Sequence, residues 1–175
     1  MKAANSKLKM SGRFYANVYR DGELIHKDEI GSPNIVTDEG LNHMLSVAFN
    51  QGTPNTTWYI APFLNDITPL ATDTAAGIVA RAGETEAYDE TNRVEWDEQA
   101  DLANVKMSND DALGGVEAKF TMNASVTVRG AMLMSAIGKS AVTGVCMAVA
   151  KFGTARALIA ADELVVTYEI AATST

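Results

Sequence analysis

The chain has 175 residues, 14 Lys or Arg against 22 Asp or Glu, and so a formal charge of −8, with 47% hydrophobic and 21% charged residues. That length and balance suit one globular domain rather than a disordered chain, and the net negative charge argues against broad nucleic-acid binding, which needs clustered bases to displace counterions. No apolar run approaches the ~20 residues of a membrane helix, the start lacks the apolar stretch of a secretory signal, and the single Cys146 allows no internal disulfide.

Residues 1–11 carry Lys2, Lys7 and Lys9 and no acid, and read as a polar, basic N-terminal arm ahead of a domain spanning 12–175. From Gly12 to Tyr19, Phe14, Ala16 and Val18 alternate with Arg13, Tyr15 and Asn17, the period of a half-buried strand. Asp21-Gly22 then supplies a hairpin turn, and Glu23 to Glu29 the return strand. After Pro33, Thr37 or Asp38 can cap a helix over 38–49. Leu41, Met44, Leu45, Ala48 and Phe49 fall on one apolar stripe, so the helix is expected to plug a sheet, and Gly52 and Pro54 end it.

Thr57 to Ala61 reads as an aromatic and β-branched strand. From Pro62 to about Gly83 the chain becomes a long connection, Tyr88 to Trp96 has weaker strand character, and Ala103 to Met107 is a further candidate strand. The remainder is strand after strand: Val116–Met122, Ser125–Ser135, Gly144–Phe152, Arg156–Ala160 and Leu164–Ala171. Turns are expected at Gly138-Lys139-Ser140, Gly153-Thr154 and Ala161-Asp162-Glu163. Short, closely spaced strands with one short helix describe a mainly β chain, an antiparallel β-sandwich or jelly-roll-like barrel.

The acidity is concentrated. Between Asp66 and Asp111 twelve carboxylates face three bases, leaving ten acids and eleven bases for the rest of the chain. A loop-rich segment of that kind reads as a solvated outer face, or as a surface for a basic partner.

No catalytic constellation emerges. Gly138-Lys139-Ser140 has Leu133 where a phosphate loop needs its first glycine, and it lies between strands. His26 and His43 stand apart from any set of converging metal ligands. Cys146 sits in the apolar run Gly144-Val145-Cys146-Met147-Ala148-Val149, the setting of an inert thiol. The expectation is a protein with no enzymatic activity, metal or cofactor. Trp58 and Tyr59 read as core or as interface anchors. Tyr88, Arg93 and Trp96 lie within the acidic segment, where Arg93 can pair with a carboxylate or stack on a ring, clamping a loop. Trp58, Tyr59, Tyr88 and Trp96 together could also form a sugar platform.

The segment Asn34-Ile35-Val36-Thr37-Asp38-Glu39-Gly40-Leu41-Asn42-His43-Met44-Leu45 resembles the NxVTxxGLxxxL opening of a family of tailed-bacteriophage structural proteins. Thr57-Trp58-Tyr59-Ile60 follows at the matching distance, then Tyr88-x4-Arg93-x2-Trp96. Phe120-Thr121-Met122-Asn123, Val128-Arg129-Gly130-Ala131 and a closing Ala161-Asp162-Glu163-Leu164-Val165-Val166-Thr167-Tyr168 come later. Ala161 stands where the family usually has glycine. Such chains are similar to capsid decoration (cement) proteins. The resemblance implies a β-sandwich made in the host cytoplasm and carried on the capsid exterior, where it bridges major capsid subunits. Its partners would be the major capsid protein and further copies of itself, as dimer or trimer, without nucleic acid or membrane; a tail- or baseplate-fibre module is the alternative. The candidate capsid or oligomer interface is then Lys2, Lys7, Lys9, Trp58, Tyr59, Tyr88, Arg93 and Trp96.

Overall fold

The computed structural model describes residues 7–174. Strand β1 (Leu8–Arg20) buries Phe14, Ala16 and Val18 on one face, as its alternation requires. It turns at Asp21-Gly22, both at positive φ, into β2 (Glu23–His26). Two short pieces, β3 (Ser32–Pro33) and β4 (Ile35–Val36), lead into α1 (Asp38–Phe49). Then follow β5 (Tyr59–Phe63), α2 (Ala75–Ala82), β6 (Val94–Glu95), β7 (Gln99–Asp101) and β8 (Lys106–Ser108). After a 3-10 turn at Asp111–Leu113 come β9 (Ala118–Thr121), β10 (Val126–Met134), β11 (Cys146–Leu158) and β12 (Glu163–Ser174).

These strands form the two antiparallel sheets of a β-sandwich. One runs β2-β1-β12-β8-β7, with β3 also on β1 and β9 also on β12; the other runs β4-β11-β10-β5-β6. The spine of the first is β1 against β12, in register from Leu8 opposite Ser174 to Tyr19 opposite Glu163. Residues Leu8 to Ser11 therefore belong to a strand and not to the expected 1–11 arm; Lys2 lies outside the described residues.

Aromatic rings fill the space between the sheets. Phe14 stacks on Tyr168 at 4.2 Å, Trp96 leans on Tyr168 at 5.4 Å, and Tyr88 meets Phe120 edge-on at 5.1 Å. β10 buries every residue from Ala131 to Met134, because both of its faces are covered. Ala131 and Leu133 point into the inter-sheet core. Met132 and Met134 join a second cluster behind the sheet, closed over by Ile67 and by Ala75, Ile78 and Ala82 of α2.

That second helix was not expected from the Thr-, Ala- and Pro-rich connection. Thr74 caps it by accepting from the Gly77 amide, and Gly83 ends it in the left-handed conformation. The connection is thus a lid on the second sheet. Nor does the chain turn at Gly153-Thr154: β11 runs through both residues, with a register shift against β10 between Lys151 and Arg156 where the turn is expected. A second shift, between Leu133–Ala148 and Met134–Cys146, is a bulge that lets Met147 and Ala148 both face the main core.

Candidate functional site

Helix α1 is fastened at its beginning and free at its end. The Thr37 hydroxyl accepts from the Gly40 amide at 3.0 Å and donates to the Cys146 carbonyl. The Glu39 carboxylate accepts from the amides of Cys146 at 2.7 Å and Ala75 at 2.9 Å, tying α1 to β11 and to the start of α2. Gly40 is needed for this approach, since a Cβ there would lie 2.8 Å from the Met147 Cα and carbonyl oxygen. Beyond this point the apolar stripe was expected to be core, yet Gly40 is the only fully buried residue of α1. Leu45, Ala48 and Phe49 are exposed, Phe49 by 83%.

Between the free half of α1 and the β7–β8 hairpin lies an apolar groove of about 480 Å³. Met44, Val47 and Ala48 form one wall, Trp58, Trp96 and Met147 the floor, and Leu102, Val105 and Met107 the other wall. His43 sits on the rim, its Nε2 3.2 Å from Asn55 Nδ2 and its ring edge-on to Trp58. Lys106 is the other ionisable lining residue, and its ammonium is engaged by Glu169 at 2.8 Å, which raises its pKa. The hairpin tip is an exception to ordinary turn chemistry. Leu102 is 86% exposed and Val105 61%, and Val105 holds φ +51°, a conformation that suits glycine or asparagine and crowds a β-branched residue.

The sequence-derived candidates divide around this groove. Trp58 and Trp96 come together beneath it: the Trp96 amide donates to the Trp58 carbonyl at 2.8 Å, and the Trp96 indole N–H donates to the Tyr168 carbonyl at 3.0 Å. Tyr59 is half-buried, in register with Met134 and Glu95. Tyr88 and Arg93 are corrected as surface anchors, because both are buried in the monomer. Tyr88 lies against Phe120 with the Lys139 ammonium 3.7 Å from its ring centre, and burial pushes its hydroxyl pKa well up.

Arg93 clamps a loop, as one reading expected. Its guanidinium donates to both Glu84 carboxylate oxygens, at 2.9 and 2.6 Å, and to the carbonyls of Ala136 and Ala141. A sugar platform needs open ring faces, and Trp58, Tyr88 and Trp96 are enclosed. Lys7 and Lys9 are exposed at the start of β1, near Met10 on the groove wall.

The acidic segment is not uniformly a solvated face. Asp73 is buried against Arg81, Glu84 against Arg93, and Glu90 accepts from the Thr121 amide. Glu95, Asp97 and Asp111 are exposed. The Glu98 carboxyl is raised by burial and by Asp97 and Glu95 beside it. Among the described residues, no group of three or more His, Cys, Asp or Glu side chains is placed to hold a metal ion, and no helix is long and apolar enough to cross a membrane. Burial raises the Cys146 thiol far above the range of a reactive thiolate.

The groove walls at Val47, Ala48, Leu102 and Val105 were missed as site residues. The available signal was apolar Leu102 and Val105, each directly after a turn former, Asp101 and Asn104. Comparison with known family models finds no match to this chain, and neither does a search of curated proteins.

Proposed function

We propose that this chain is a structural virion protein, not an enzyme. It binds the outer surface of a tailed-phage capsid and stabilises the shell by bridging major capsid subunits, in copies that also touch one another. The observation that carries the reading is the apolar face itself. A groove lined by Met44, Val47, Trp58 and Met107, with Phe49 and Leu102 standing open beside it, is built for contact rather than for chemistry. The sequence resemblance at Asn34–Leu45 and Ala161–Tyr168 supplies the class of partner. On a shell, many modest contacts act together, because each neighbouring site is already within reach once the first is engaged. The exposed Lys7 and Lys9 at one end, and Glu95, Asp97 and Asp111 elsewhere, give the molecule a charge polarity that a lattice can use.

The test is reconstitution on purified heads stripped of their accessory proteins. Saturable binding of hundreds of copies, with slower loss of DNA on heating, is expected. Absence of binding, or a few copies confined to one vertex, would overturn the shell assignment, the latter in favour of a tail or baseplate module. Because Leu8–Ser11 belong to β1, the arm is tested by removing residues 1–6 alone, which is expected to weaken head binding and leave the melting temperature unchanged.

A further inference from the structure

We infer that the groove between α1 and the β7–β8 hairpin is an oxidation-sensitive face, at which a peroxide converts Met10, Met44 and Met107 to sulfoxides and turns an apolar surface polar. The chain has eight methionines, and those among the described residues fall into two sets. Met122, Met132 and Met134 are enclosed in the core, none more than 1% exposed. Met10, Met44, Met107 and Met147 all line this one groove. Met107 on β8 is exposed, Met44 on the free half of α1 and Met10 on β1 are half-buried, and Met147 on the floor is buried. Among the described residues, every methionine that solvent reaches therefore stands at the same opening. An oxidant that selects by exposure acts there first.

The thioether sulfur attacks one oxygen of hydrogen peroxide, so that a sulfur–oxygen bond forms and the O–O bond breaks. The hydroxide that leaves takes the proton from the newly bound oxygen and departs as water; sulfur is oxidised and the peroxide reduced. A flexible apolar side chain thereby acquires a strong acceptor oxygen. The groove offers that oxygen little. Its polar side chains are His43, Asn55 and Lys106, and the Lys106 ammonium is already engaged by Glu169 at 2.8 Å. A sulfinyl oxygen without a donor keeps water with it, which opposes closing the groove against any apolar surface. Leucine would fill a similar volume without this sensitivity, so methionine at the open wall positions is what makes the polarity of the groove depend on oxidant. The inference rests on the lining of the groove and not on the shell reading.

Both tryptophans of the chain, Trp58 and Trp96, line the groove, so intrinsic fluorescence reports on it. The full chain is treated with millimolar hydrogen peroxide, quenched at intervals and mapped by peptide mass. Met107, Met44 and Met10 are expected to gain oxygen about 10-fold or more faster than Met122, Met132 and Met134. Tryptophan emission should shift to the red in step, with the Trp58 and Trp96 peptides unchanged in mass and the far-ultraviolet circular dichroism unchanged. The paired substitution Met44→Leu with Met107→Leu conserves volume, and should fold as the wild type does while losing most of the shift. Met107→Gln, polar from the start, should show part of the shift without peroxide. Core methionines oxidised as fast as those of the groove, or a shift that persists in the leucine variant, overturns the inference. So does sulfoxide at Met44 and Met107 with no change in emission.

Discussion

Replacing Arg93 by Met removes the cation that answers Glu84 in the interior. Neither side chain reaches solvent. The substitution deletes two hydrogen bonds to the carboxylate and those to the Ala136 and Ala141 carbonyls, all between 2.6 and 3.0 Å. Breaking one side of a buried pair costs about 3–5 kcal/mol, because the remaining charge stays desolvated. For a chain of this length each kcal/mol lowers the melting temperature by about 2–4 °C, so a fall of roughly 6–20 °C is expected. Glu84→Gln is expected to cost a similar amount, since it leaves the guanidinium without its counter-charge. The double substitution Arg93→Met with Glu84→Leu leaves no charge behind, and should be less destabilised than either single change. Urea unfolding followed by tryptophan fluorescence measures all four proteins, with Trp96 close in sequence as a reporter. A cost under about 1 kcal/mol for Arg93→Met, the behaviour of an exposed pair, would refute the reasoning. So would single changes that simply add.

Three further substitutions test the frame. Gly40→Ala forces a methyl group against the Met147 backbone and should cost about 1–3 kcal/mol in chemical denaturation, a helix-propensity gain of under 1 kcal/mol notwithstanding. Ala161→Gly relaxes a residue held at φ +71° and should stabilise by up to about 1 kcal/mol, read as a rise in urea midpoint at unchanged slope. Asp162 is enclosed and accepts from Arg20 at 2.7 and 2.8 Å, which holds its carboxyl pKa below the ordinary 3.8. A depressed carboxyl contributes its stability in full above the unfolded value and loses it as pH falls through the folded one. Asp162→Asn should therefore be the less stable protein at neutral pH and converge on the wild type in the acid range below about pH 4. A stability difference that stays constant across that range would count against the pairing.

Local pattern carried much of this architecture. The alternation of Phe14, Ala16 and Val18 and the Asp21-Gly22 turn define the first hairpin, and α1 begins and ends at 38 and 49 with Thr37 as its cap. What pattern could not supply was depth. The stripe Leu41, Met44, Leu45, Ala48, Phe49 has the spacing of a core face, but periodicity reports which residues share a side, not whether anything covers that side. Here the helix is fastened at Gly40 and leaves its other end against a groove. The helix Ala75–Ala82 escaped because its eight residues are too few for a clear period, though Thr74 and Gly83 bracket them as start and stop signals. At Gly153-Thr154 turn chemistry was overridden by pairing, since β11 is held on both sides of those residues by β10. Arg93 was legible as a loop clamp able to pair with a carboxylate, but its partner Glu84 was visible only as one acid among twelve. Their burial depends on the loop at 136–141, more than forty residues away, which no local window contains.

Several residues of the motif segments named in the sequence analysis have a structural duty inside the sandwich. Asn34 donates to the Tyr168 hydroxyl, Thr37 caps α1, Gly40 permits its close approach, and Trp96 donates to the Tyr168 carbonyl. Arg93 holds Glu84 and a loop, and Ala161 occupies a left-handed turn that glycine fills more easily. Much of the groove wall is made from other positions: Val47 and Ala48 lie just beyond the Asn34–Leu45 segment, and Leu102 and Val105 fall between the matched pieces. Frame and contact surface are therefore separable in this chain. Substitutions at motif positions away from the groove, such as Asn34, Thr37 and Arg93, should act through stability and leave binding per folded molecule intact. Those at 47–49 and 102–105 should leave stability intact and change what the protein holds. Measuring melting temperature and head binding on the same set of variants distinguishes the two groups, because a substitution at Asn34, Thr37 or Arg93 that altered head binding at unchanged stability would break that division.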